Sequence, residues 1–221
     1  SISGGTSLKL VNGIYLPDYD THFAEQIRRS PIIDGKGTYQ YNKLSAAVAE
    51  CKSRRVAIDI GAHVGLWTRI LRTKFEFVHA FEPILNHYNC MLNNVDDSNV
   101  DMLNMALGDI SGQLSLKNEP NIATAKVCCY EDRDIEVQVE TLDSFDYFDV
   151  DFIKIDTEGY ERSTIVGGED TIKRCKPIII IEQKKRTIQY DSGRFAGVKL
   201  LESWGMYVLW EMSGDYCLSW K

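Results

Sequence analysis

Three apolar runs in this chain each end in a carboxylate. Val56-Ala57-Ile58-Asp59-Ile60 runs into the turn Gly61-Ala62-His63-Val64-Gly65, and Phe77 to Phe81 ends at Glu82-Pro83. Val150 to Ile155 ends at Asp156, with Thr157-Glu158-Gly159-Tyr160-Glu161 behind it. Carboxylates delivered at strand tips can hold ribose hydroxyls, accept from an amino group or take a proton from an acceptor. Glycines at 61 and 65 allow a tight turn and leave space for a ligand beside the backbone. The Gly-x-x-x-Gly spacing departs from the Gly-x-Gly-x-x-Gly fingerprint that cradles a pyrophosphate. It points instead to a nucleoside held without that cradle, set against a plain strand–helix packing point.

Glu82 stands where the second strand of a βαβ unit delivers an acid to a ribose, and Pro83 stops the strand behind it. An ordinary exposed strand end is the alternative. Lys154 and Asp156 alternate along one strand and so share a face of the sheet. Flanked by Phe152, Ile153 and Ile155, Lys154 is expected to be buried and to need a counter-charge, with Asp59 and Asp156 as the candidates. His63, His87, Asp156 and Glu158 are the possible general bases, since His titrates near neutrality and a hydroxyl acceptor gains from a base within reach. Three have a plainer alternative: His63 as a residue that hydrogen-bonds the turn or the cofactor, His87 as a structural helix residue, Glu158 as a cap on the helix opening at Gly159.

These groups require a frame. From residue 56 the pattern alternates: strand 56–60, helix 65–73, strand 77–81, helix 84–94, strand 100–104, then strand 152–156, helix 160–174, strand 178–182, helix 193–203 and two final strands near 205–211 and 215–220. This predicts a doubly wound α/β fold, a mostly parallel sheet with an antiparallel edge. Between 108 and 142 the period falls to two, as in Ile135 to Glu140, which predicts a β-rich insertion near 110–140. Residues 1–50 read as a lead-in of short helices, Thr21 to Arg29 and Tyr41 to Lys52, with a Gly-rich loop at 33–38, packed on one domain spanning 51–221. The lead-in and the insertion are the pieces outside the alternating core, so they are expected to wall the acceptor site beyond the strand carboxyl ends.

The 221 residues suffice for one sizeable core. A formal charge of −7 argues against a broad nucleic-acid or anionic-membrane surface. Cysteines at 51, 90, 128, 129, 175 and 217 show no Cys-x-x-Cys and read as free thiols of a reducing, cytoplasmic compartment. The longest apolar stretch, Ile178 to Ile181, is far too short to span a bilayer. No signal peptide is legible, and Ser1 in place of Met reads as a trimmed end.

Asp59-Ile-Gly-Ala-His-Val-Gly65, Phe81-Glu-Pro83, Asn104-Met-Ala-Leu-Gly-Asp109, Thr141-Leu-Asp143, Asp151-Phe-Ile-Lys-Ile-Asp-Thr-Glu-Gly-Tyr-Glu161 and the strand ending at Glu182 follow one another in the order that resembles FkbM-type methyltransferases. His63 stands where that family usually has Asn. The resemblance covers roughly 55–185 and implies a class I methyltransferase fold with a seven-stranded sheet, S-adenosylmethionine as cofactor, and O-methylation of a small-molecule or carbohydrate hydroxyl. It implies cofactor contacts from Asp59, Gly61, Ala62, His63, Gly65, Glu82, Pro83, Met105, Ala106 and Asp156. The glycine-turn amides suit the cofactor carboxylate, Asp59 its amino group or the turn itself, and Glu82 the ribose. Glu158, Asp156 and His63 are the expected catalytic set. No metal is expected, because paired metal-ligand carboxylates with an Asn are not evident. A fold-retaining binding module without catalysis and, less favoured, a nicotinamide-dependent oxidoreductase are the alternatives.

Overall fold

The computed structural model describes residues 7–116, 135–183 and 195–221. The leading segment holds a hairpin of β1 (Leu8–Val11) and β2 (Ile14–Pro17), helix α1 (Thr21–Arg29), a second hairpin of β3 (Ile32–Ile33) and β4 (Lys36–Gly37), and helix α2 (Tyr41–Ala49). The alternation follows as β5 (Val56–Ile60), α3 (Leu66–Leu71), β6 (Phe77–Phe81), α4 (Leu85–Asn94) and β7 (Val100–Leu103). Next come β8 (Ala106–Leu107), β9 (Gly112–Leu116), β10 (Ile135–Glu140) and a 3-10 turn at Leu142–Phe145. The chain then adds β11 (Val150–Ile155), α5 (Glu161–Val166), α6 (Glu169–Cys175), β12 (Ile178–Glu182), α7 (Ala196–Ser203), β13 (Met206–Met212) and β14 (Asp215–Trp220).

Seven strands form one sheet in the order β13-β14-β12-β11-β5-β6-β7. The five from β12 to β7 run parallel, and β14 joins β12 and β13 antiparallel, so the edge reverses as expected. Ile178 to Ile181 form an unbroken apolar run because both faces of their strand are covered. One face packs Leu44, Trp67, Ile70, Phe152 and Ile180 beneath α2 and α3. The other packs Ile58, Ile153, Ile165, Ile181 and Leu201 beneath α5, α6 and α7.

Three elements differ from the sequence expectation. The 160–174 helix is two helices, broken at Gly167-Gly168, where a Cβ on Gly167 would overlap the carbonyl oxygen of Gly108. The period-two strands do not enter the main sheet; β8, β10 and β9 make a three-stranded sheet of their own. The 33–38 loop is a hairpin turning on Asp34 (φ 52°) and Gly35 (φ 73°), both left-handed, as a two-residue hairpin turn requires. Cys128 and Cys129 lie outside the described residues, and the other four cysteines are free thiols. Among the described residues no helix is long and apolar enough to cross a membrane.

The leading segment is tied to the core by buried polar contacts. Asn94 of α4 accepts from Tyr15 N at 2.8 Å and donates to the carbonyls of Tyr15 and Val64 at 2.9 and 2.8 Å. Arg69 of α3 donates to the carbonyls of Ile33 and Gly37, and Lys43 of α2 pairs with Asp215 of β14.

At the sheet's centre Lys154 lies opposite Asp59 in the parallel register of β11 on β5. Its ammonium donates to Asp59 Oδ1 at 2.9 Å and to the Gly61 carbonyl at 2.8 Å. Of the two candidate partners, Asp59 makes the direct bond. Burial alone would lower the Lys154 pKa, but Asp59, Asp156 and Glu82 outweigh it, so the amine is held above its ordinary value and stays charged. Lys154→Met strands a buried carboxylate and is expected to lower unfolding stability by about 3–5 kcal/mol in urea. A variant as stable as the parent but inactive would overturn this structural role.

Candidate active site

The tips of β5, β6, β11 and β12 converge at one end of the sheet, and their acids divide into two groups. Asp59, Glu82 and Glu161 are buried and bonded to the surrounding backbone or side chains. Asp156, Glu158 and Glu182 cluster with carboxylate oxygens within 4.8 Å of one another.

Asp59 is fully buried, accepting from Thr68 Oγ1 at 2.7 Å as well as from Lys154. Its carboxylate therefore fixes the turn and the start of α3. Glu82 is 4% exposed, and each of its oxygens accepts one backbone N–H at 2.8 Å, Oε2 from His63 and Oε1 from Ile84. A carboxylate has about four acceptor sites, so both oxygens keep lone pairs for two hydroxyls. Asn104 fastens the same tip by donating to the Glu82 and Pro83 carbonyls at 2.9 and 3.0 Å. Met105 and Ala106 follow, both half-buried, and Ala106 opens β8.

The turn itself departs from expectation in its donors. Gly61 and Ala62 both give their N–H to the Phe81 carbonyl, Gly65 gives its own to Ala62, and His63 gives its own to Glu82. These amides hold the turn and are not spare donors for a ligand carboxylate. Gly61 (φ 77°) is required twice over, because its φ is left-handed and a Cβ would overlap the Asp156 carbonyl oxygen. His63 also has a left-handed φ of 54°, a region that Asn and His enter more readily than most residues. Histidine can therefore keep the left-handed backbone that the turn requires here.

The His63 ring lies between Phe23 of α1 and His87 of α4, with centroids 4.3 and 3.9 Å away. Burial, then His87 and Lys154, hold its pKa well below the ordinary value, so it is neutral. The ring packs on the leading segment and is not on the cleft that Asp156 lines. His87 is fully buried, with Nδ1 3.5 Å from Glu82 Oε1. His63 Nδ1 and both His87 nitrogens have no hydrogen-bond partner.

Asp156 and Glu182 line a narrow cleft with Lys154, Trp67, Gln40 and Asp215. Gln40 comes from the leading segment. Among the described residues of 108–140 none lines this cleft, and the opposite wall is Asp215 of the terminal hairpin. Asp156, Glu158 and Glu182 supply the hard oxygen ligands that Mg²⁺ or Ca²⁺ would use, a set the sequence did not reveal because Glu182 arrives from another strand.

Glu161 was not singled out by the sequence, although it closes the third motif. It is fully buried, and Oε1 accepts from Thr157 N at 3.2 Å and Gly159 N at 3.0 Å while Oε2 has no partner. It thereby clamps the loop on which Glu158 sits at φ 53°.

Residues 59–205 match the family model described as "Methyltransferase FkbM domain". The crystal structure of a methyltransferase FkbM from Methylobacillus flagellatus superimposes with a TM-score of 0.51 at 18% identity, over 76% of this chain and 44% of that one. The chain therefore spans less than half the length of that protein. A precorrin-6y C5,15-methyltransferase from Geobacter metallireducens matches with a TM-score of 0.52 at 15% identity, over 89% of this chain and 96% of that one. At such identities the likeness shows the fold. No curated protein matches in sequence.

Burial raises the Glu161 pKa from 4.5 to about 7, against the pull of the Gly159 N–H, and Asp156 adds to the rise. A carboxyl that holds its proton more tightly when folded stabilises the fold below its unfolded pKa and loses that contribution as pH rises through the folded one. Stability should therefore fall by up to about 3 kcal/mol between pH 4.5 and pH 7 relative to Glu161→Gln. Thermal melts of both proteins across that range check it; parallel pH curves would refute the assignment.

Proposed function

Because the chain belongs to the FkbM methyltransferase family, we propose that it transfers a methyl group from S-adenosylmethionine to a hydroxyl of a small-molecule or carbohydrate acceptor. The observation that carries this reading is the convergence of Glu82, the Gly61–Gly65 turn and Asp156 at the carboxyl ends of adjacent strands. The residues fit the cofactor: each Glu82 oxygen takes one backbone N–H and so retains an acceptor position for a ribose hydroxyl. Bound there, the cofactor supplies a methyl group already made electrophilic by its sulfonium.

The chain's own part is alignment and proton removal. Glu82 and the turn fix the nucleoside end, Met105 and Ala106 stand where the adenine is expected, and Asp156 separates cofactor from acceptor. Glu158, clamped by Glu161, faces the acceptor as its general base, with Asp156 behind it. His63 holds the turn against α1 and is not the base in this reading. Near-attack alignment accounts for most of the acceleration, and a base within hydrogen-bond reach adds about 10²–10⁴-fold.

Titration calorimetry with S-adenosylhomocysteine is expected to show saturable binding to the parent protein, and Glu82→Ala to lose about 2–3 kcal/mol of it with the fold intact. Unchanged affinity would remove Glu82 from the site.

Glu158→Gln should keep that affinity while slowing single-turnover methylation by at least about 10²-fold, and turnover should withstand EDTA. Activity lost to EDTA and restored by Mg²⁺ would instead assign the three carboxylates to a metal. Weakened S-adenosylhomocysteine binding in Glu158→Gln, with the single-turnover rate untouched, would move Glu158 to the cofactor side.

A further inference from the structure

His87, in the first turn of α4, is fully buried, and neither of its ring nitrogens has a hydrogen-bond partner. Its Nδ1 stands 3.5 Å from Glu82 Oε1, just past normal hydrogen-bond length, and its ring centroid lies 3.9 Å from that of His63. One imidazole thus touches the acid expected to hold the ribose and the residue whose backbone N–H holds that acid's other oxygen at 2.8 Å. The contacts close a circuit: Glu82 Oε2 to His63 N, the His63 ring to the His87 ring, and His87 Nδ1 back to Glu82 Oε1.

Every imidazole, neutral or charged, carries at least one N–H, and buried N–H groups are almost always paired. Among the described residues, Glu82 Oε1 is the carboxylate oxygen that the His87 ring meets. A proton on Nε2 alone would leave that N–H buried without an acceptor and turn the Nδ1 lone pair toward a carboxylate, acceptor against acceptor. A proton on Nδ1 points a donor at the acid and leaves only a lone pair at Nε2. We infer that His87 carries its proton on Nδ1 and is a positioning residue for Glu82, aiming the carboxylate at the ribose of the cofactor. The inference rests on the methyltransferase reading and adds a residue to it.

The backbone bonds to Glu82, one on each oxygen, leave the carboxylate able to tilt about the line through those oxygens within the reach of its χ angles. His87 limits that tilt from α4. At 3.5 Å its N–H directs Oε1 without filling the second lone pair, so that position stays open for a hydroxyl. The His87 ring is itself held by His63, on which Phe23 of α1 stacks at 4.3 Å. His63 thus serves Glu82 twice, by its backbone N–H and through the ring that packs His87. It adds no positive charge beside the acid, because burial first, then His87 and Lys154, keep it neutral.

Long-range nitrogen–proton NMR spectra of the histidine rings, taken on the parent protein alone, read which His87 nitrogen is protonated. A proton on Nδ1 is expected, and a bare Nδ1 would overturn the inference. Calorimetry with S-adenosylhomocysteine tests the role. His87→Leu, which removes the N–H and leaves no buried polar atom, should weaken binding about tenfold with the fold intact. His87→Asn, whose amide nitrogen is as many bonds from the backbone as Nδ1, should restore most of that affinity. His87→Gln, whose amide lies one bond further out, should not, and the Asn and Gln variants decide the matter where His87→Leu unfolds. In the Glu82→Ala background His87→Leu should change affinity by less than about twofold, because its effect passes through the acid. Unchanged affinity in His87→Leu would overturn the inference. So would a loss that Asn does not restore, or one that persists in full without Glu82, since either makes His87 a packing residue alone. Failure of the parent protein to bind S-adenosylhomocysteine would remove the methyltransferase reading and the ribose role with it, even with the ring proton on Nδ1.

Discussion

The ion pair between Lys154 and Asp59 is the constraint on which the rest of the site depends. A buried pair of this kind is no bargain in net stability, because desolvating two charges offsets most of their attraction. Its consequence is geometric. Lys154 bonds the carboxylate of Asp59 and the Gly61 carbonyl, while Thr68 bonds the second Asp59 oxygen. Two strand tips, the glycine turn and the opening of α3 are thereby locked to one another by groups that cannot move singly without leaving a charge unpaired. Hydrophobic residues of equal volume would pack the same space but would not fix the turn's backbone direction.

The other buried acids extend the same device outward. Glu82 fastens the turn from β6 through His63 N, and Glu161 fastens the loop after β11 through Thr157 N and Gly159 N. Both loops contain left-handed residues that would relax if unsupported: His63 in one, Glu158 and Gly159 in the other. Carboxylates suit this work because one group takes two N–H donors from different directions, and charge strengthens each bond. Beyond these three, Asp156, Glu158 and Glu182 bring carboxylate oxygens within 4.8 Å of one another, and Asp156, Glu182 and Asp215 line the cleft.

The parts of this arrangement legible in the sequence were those governed by local pattern. Strands 56–60, 77–81 and 178–182 have the expected bounds, because apolar runs ending in an acid or at a proline define their own limits. Lys154's need for a partner was legible too, since a lysine among Phe and Ile cannot stay unpaired. What depended on distant approach was not. The break at Gly167-Gly168 exists because the Gly108 backbone presses there, nearly sixty residues upstream in sequence. Glu182 read as a strand end because only the sheet order brings β12 beside β11.

The leading segment shows how this fold separates a shared frame from a particular use. Phe23 stacks on His63, Asn94 ties Tyr15 to the Val64 carbonyl, and Arg69 holds the second hairpin through two carbonyls. Each contact lands on or beside the turn or on α3, elements that lie within the family match, and each originates outside or at the edge of it. A segment so attached cannot be altered without moving the turn, and the turn cannot be kept while the segment is discarded. Gln40 inherits that rigidity, since the helix it opens is pinned to Asp215 through Lys43 and the hairpin before it is held by Arg69. A cleft wall held this firmly keeps its shape when a ligand arrives, whereas a mobile wall would adjust to each ligand in turn.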